Sequence, residues 1–102
     1  MSYLRENAEL IRRSLPPDAR PAADDDALFL IYAVLMRAKG DLVTAADVHD
    51  AWAAWMEGND PRHASLVPFE ALSADVKAQD LPYVNAIRAA ARARFDQDAT
   101  TV

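Results

Sequence analysis

The sequence predicts an all-α fold: a compact bundle of about four main helices around a buried central helix at 24–39, plus one or two short helical turns. Three observations lead there. Residues 27–36 form an unbroken apolar run, so as a helix they are greasy on every side, the mark of a helix surrounded by protein. At about 1.5 Å per residue the run reaches roughly half of a bilayer's hydrocarbon core, too short to span it. The chain of 102 residues also holds only two glycines and much alanine, a composition that favours helix over sheet. Finally, apolar residues recur at helical spacing between recognisable start and stop signals.

Taken in order, Ser2 caps a first helix over 3–15, in which Leu4, Ala8, Ile11 and Leu15 make one apolar stripe and Arg5, Glu6, Glu9, Arg12 and Arg13 lie outside it. Pro16 and Pro17 end it, because neither supplies the next N–H donor. Residues 16–23, with Pro21, read as a stiff extended connector. Asp24, Asp25 and Asp26 then set carboxylates at the positive end of the central helix, Arg37 and Lys39 sit at its negative end, and Gly40 is the stop. Thr44-Ala45-Ala46-Asp47 is a capping box for a third helix over 45–57, with Val48, Trp52 and Trp55 on its inner stripe and His49, Ala53 and Met56 beside them. Gly58-Asn59-Asp60-Pro61 is a turn cluster. Pro68 begins a single helical turn that points Phe69 and Leu72 inward, and Ser73 caps a short helix through Gln79. Asp80 and Pro82 look like the cap and first turn of a last helix that ends near Phe95, with Val84, Ile87 and Ala91 on its buried face. One domain thus covers 1–95, and 96–102 is expected to fray.

Composition excludes several function classes. A formal charge of −5 argues against generic nucleic-acid binding, which neutralises phosphates with Lys and Arg. With no cysteine there is neither a disulfide framework nor thiolate chemistry, which fits a cytoplasmic protein. Residues 1–6 lack a basic and then apolar leader, so no secretory signal and no membrane partner are expected. Residues 1–51 carry nine acids and six bases, whereas 81–95 carry Arg88, Arg92 and Arg94 and no acid.

The chemistry-bearing residues are sparse. His49 has no ligand-type residue one turn away on its helix, and His63 stands in a loop, so no metal is expected. Ser65 and Ser73 lie in no strand–turn–helix elbow, Asp47 and Asp50 read as a cap and a solvated face, and the chain is not expected to be an enzyme. No cofactor is implied. Trp52 reads as a core filler. Trp55 is as well suited to stacking on a planar ligand as to packing, because each indole N–H needs a partner and draws one ring toward the rim.

Two segments carry a resemblance. Ala46-Asp47-Val48-His49-Asp50-Ala51-Trp52-Ala53, then Leu66-Val67-Pro68-Phe69 with Leu72 and Lys77, resembles the RyR domain, the helical repeat named after ryanodine receptors and found in bacterial and phage proteins. The similar portion spans about 44–95, and residues 57–65 are short and lack the family's Gly-Trp-x-Tyr-Gly segment. The resemblance implies an all-helical module and gives His49, Trp52, Leu66, Val67, Pro68 and Phe69 a structural role, His49 bonding to the 66–68 backbone. It also implies paired copies, hence a possible homodimer, and a nucleotide-type ligand.

The function expected on this footing is a non-catalytic protein-interaction or binding module from a high-GC bacterium or its phage, with another protein or a second copy of itself as partner. The alternative expectation is a sensor or sponge for a nucleotide-like anion. Its base would stack on Trp55 or Tyr83, and its phosphate would meet Arg62, His63, Arg88 or Arg92.

Overall fold

The computed structural model describes residues 2–19 and 25–100, with the backbone alone over 95–100. Its helices are α1 (Tyr3–Ser14), α2 (Asp26–Lys39), α3 (Ala45–Asn59), the short α4 (Ala74–Ala78) and α5 (Leu81–Thr100), with 3-10 turns at Pro17–Ala19, Gly40–Leu42 and Phe69–Ala71. The fold is all-α: four main helices packed together, with no strand among the described residues. Among those residues, too, no helix is long and apolar enough to cross a membrane.

Local signals act where the sequence sets them. Ser2 Oγ accepts the Arg5 N–H at the start of α1, and Ser73 Oγ accepts the Val76 N–H at the start of α4. Both bonds of the Thr44–Asp47 capping box are made at the start of α3. Gly40 ends α2 at φ +60° and ψ −130°, a conformation open to glycine because no Cβ meets the backbone. The corner that follows is tied from two sides. Lys39 Nζ lies 2.8 Å from Asp47 Oδ2, and Arg88 Nε reaches across from α5 to donate to the Val43 carbonyl at 2.8 Å.

Ala8 and Ile11 of α1, Leu15 beyond its end, and Val43 and Val48 meet Val84, Ala86, Ile87 and Ala90 of α5 around α2. Helix α1 packs on α2 and α5, and α2 on α3. The expected enclosure of the central helix needs correction. Leu28, Phe29, Tyr32, Ala33 and Met36 are buried, but Val34 is 54% exposed and Ala27 and Ala38 face solvent. Hydropathy alone cannot say how many neighbours a helix has, and too few helices pack here to cover all its faces.

Three boundaries also differ from expectation. Helix α2 begins at Asp26 with Asp25 at the capping position, and residues 20–23 of the expected connector and Asp24, the expected first residue of the helix, lie outside the described residues. Helix α3 runs through Gly58 to Asn59, whose Nδ2 donates to the Trp55 carbonyl. Helix α5 continues to Thr100 where a frayed tail was expected; 91–100 holds no glycine or proline, so each added residue gains a hydrogen bond at small propensity cost. Residues 101–102 lie outside the described residues.

Candidate functional site

The histidine-bearing helix is pinned to the proline turn. His49 is buried, and its Nε2 lies 2.7 Å from the Val67 carbonyl oxygen. A carbonyl only accepts, so Nε2 carries the proton and donates. The imidazole stacks on Trp52, with centroids 5.6 Å apart and planes at 27°, and Phe69 sits 6.2 Å away. His63 meets the edge of Trp52 at 5.0 Å, and its Nδ1 accepts the Ser65 N–H at 3.0 Å. Lys77 places its ammonium 5.4 Å from the Phe69 ring. The two sequence segments that carry the resemblance are therefore one packed unit.

Beside this unit opens a cavity of about 510 Å³. Its aromatic walls are Trp52 and Trp55 of α3, Tyr32 of α2 and Tyr83 of α5, with His49 and His63 between them. Asp25, Ser65, Gln79 and Asp80 supply the polar part of the lining. Among the described residues no lysine or arginine lines it. Tyr83 donates its hydroxyl to the Ala19 carbonyl at 3.2 Å and stands 5.8 Å from the Tyr32 ring, which joins the start of α5 to α2 and to the turn after α1.

The two carboxylates are set differently from what capping positions suggest. Asp25 makes no side-chain cap to α2. It turns inward, 3% exposed, and Oδ1 accepts from Arg12 Nη1 at 3.1 Å. Arg12, placed by its sequence position on the outer face of α1, is partly buried; it also holds Asp26 at 2.9 Å and lies 4.3 Å over the Phe29 ring. Asp80 precedes α5, and its backbone carbonyl takes the Tyr83 and Val84 amides. Among the described residues, Asp25 Oδ2 and Asp80 Oδ2 are buried without a hydrogen-bond partner. Burial pushes the Asp80 carboxyl above its ordinary range, and the nearby His49 partly offsets this. Burial also raises both phenols, and for each the charges of Asp25 and Asp80 add to the rise. Tyr32, Tyr83, Asp25 and Asp80 thus form one electrostatic cluster. No group of three or more metal-ligating side chains converges among the described residues.

The residues expected to bind a ligand are split between places. Trp55, His63 and Tyr83 come together in the cavity. Arg62 is exposed on the turn, its backbone N–H held by Asp60 Oδ1. Arg88 is committed to the Val43 carbonyl. Arg92 lines a separate hollow of about 450 Å³ with Arg37, Arg94, Met36 and Asp41. Asp25, Asp80 and Tyr32 were not singled out by the sequence as site residues. Both aspartates stand where a helix-capping acid belongs, so nothing in the local sequence distinguishes a capping carboxylate from one turned into a cavity.

Residues 2–92 match the model of a family described as a domain of unknown function, DUF7701. No curated protein and no solved structure matches the chain.

Proposed function

The chain belongs to the DUF7701 family, and we propose that it is a non-catalytic binding module whose recognition element is the aromatic cavity between α2, α3 and the start of α5. The observation that carries this reading is the convergence of both tryptophans, both histidines, Tyr32 and Tyr83 on one space of about 510 Å³. Concave sites of some hundreds of cubic ångströms with aromatic walls and a few polar groups are the usual shape of a ligand pocket. A non-catalytic role is supported by the occupation of the imidazoles: His49 Nε2 is spent on Val67 and His63 Nδ1 on Ser65. Kinship with the RyR domain belongs to the same proposal, supported by the His49–Val67 bond that joins the two similar segments.

A nucleotide-like anion is the second reading, favoured by the hollow lined by Arg37, Arg92 and Arg94. One fragment and nucleotide screen by amide and indole NMR on the full chain separates the two. On the preferred reading, shifts cluster at the Trp52 and Trp55 indole N–H groups and at His63, and Trp55→Ala, with its helical circular dichroism retained, weakens binding about tenfold or more. Shifts induced by mononucleotides and confined to Arg37 and Arg92 would replace the preferred reading with the second.

A further inference from the structure

We infer that the aromatic cavity takes an alkylammonium or alkylguanidinium group, free or on a protein side chain, with its N–H donors on Asp25 Oδ2 and Asp80 Oδ2 and its stem against the rings. This rests on the reading of that cavity as a binding site and adds the chemistry of what enters it.

Two carboxylate oxygens, on Asp25 and Asp80 of the cavity lining, are buried with no donor among the described residues. Most buried side-chain polar atoms in native structures are satisfied, so what marks these two orphans is their place on residues that line one cavity, where donors are in deficit. Asp25 is the stronger witness, since its side chain is almost wholly enclosed and Arg12 serves only its other oxygen. Asp80 has no cationic side chain in salt-bridge contact among the described residues. The missing partner must therefore bring hydrogen-bond donors, and N–H groups that carry positive charge make the stronger bonds to a carboxylate.

The walls agree with the floor. Tryptophan and tyrosine faces attract a cation through their quadrupole, most strongly where water is excluded. A phosphate or carboxylate placed here would meet Asp25 and Asp80 and, among the described residues, no lysine or arginine. Among the described residues no three metal ligands converge here for a bare metal ion. A neutral apolar molecule would fill the space and leave both oxygens orphaned, at the desolvation cost they already bear. An organic cation with donors meets the charge, the hydrogen-bonding deficit and the aromatic lining together.

The chain has two tryptophans and both line the cavity, so its indole emission reports occupancy directly. The full chain is titrated with n-butylammonium, butylguanidinium, and lysine and arginine blocked at both termini. Comparison probes are 1-pentanol as the neutral isostere, butyrate as the anion, and tetramethylammonium as the cation without N–H. Expected are saturable quenching by the N–H cations, affinities about tenfold weaker or worse for the three comparison probes, and a similar loss for butylammonium in Asp80→Asn. Asp75→Asn, on the exposed side of α4, leaves the Kd unchanged. Blocked lysine or arginine binding about tenfold tighter than the free amines identifies a protein side chain as the natural occupant, and equal affinities identify a free amine. The comparison among probes uses the unaltered chain, so it stands even if a variant misfolds. Equal binding of 1-pentanol and butylammonium overturns the cation inference and keeps the cavity as a binding site, whereas silence from every probe and from the NMR screen overturns both.

Discussion

Asp80 carries a folding cost as well as its place in the cavity. Burial raises its carboxyl pKa, His49 on α3 opposes the rise, and Tyr32 of α2 and Tyr83 of α5 feel its charge alongside that of Asp25. A carboxyl with a folded pKa above its unfolded value binds protons more tightly when folded. Its stabilising contribution is complete below the unfolded value and disappears as the pH rises through the folded one. Asp80→Asn should therefore melt at a higher temperature than the parent at pH 7, the gap closing as the pH falls to the ordinary aspartate value of 3.8. Calorimetry at the two pH values checks this, and a lower melting temperature at pH 7 would show the carboxylate to be a net stabiliser. Asp47 has the opposite sign. Its pKa is lowered, chiefly by the hydrogen bond from Lys39, so its contribution is lost on acidification, but its exposure keeps that contribution small. Sequence reasoning located the His49 bond to the 66–68 backbone because both partners lie in recognisable segments. It gave no direction for Asp25 or Asp80, since a side chain leaves a capping position toward amides or toward a cavity according to neighbours tens of residues away.

Among the elements, the corner between α2 and α3 shows how local chemistry places a helix. Gly40 at φ +60° and ψ −130° has nothing within 4 Å of the position a Cβ would take, so the cost of a side chain there is backbone strain alone. Gly40→Ala should destabilise by about 1–3 kcal/mol, measured as a lower urea midpoint with unchanged m-value. A cost below a few tenths would mean that the corner relaxes into another conformation. Caps and stops of this kind were legible because a few adjacent residues specify them, as Ser2, Thr44 and Ser73 do. Burial of α2 was only partly legible. The stripe of Leu28, Phe29, Tyr32, Ala33 and Met36 is enclosed, and Val34 is open because that side has no helix to meet it.

At the level of the whole molecule, α5 is the element through which the others meet. It brings Val84, Ala86, Ile87 and Ala90 to the core, Arg88 to the α2–α3 corner, and Tyr83, with Asp80 just before its first residue, to the cavity. Ile87 is fully buried, and Ile87→Ala should cost about 2–5 kcal/mol in equilibrium unfolding; a smaller loss would mean that α1 and α5 close over the gap. The all-α class was legible from periodicity and composition. The cavity was not, because its lining comes from the turn after α1, from α2, α3, the 63–65 loop, α4 and α5. The Tyr83–Ala19 bond spans 64 positions of sequence, and α1 packs on a helix that begins at Leu81. A nascent chain that has emerged only as far as Asp80 holds Ile11 and Leu15 with one of their principal coverings still inside the ribosome. Completion of this fold on the ribosome therefore waits for α5 to emerge and is not set by the earlier appearance of the greasy helix at 26–39.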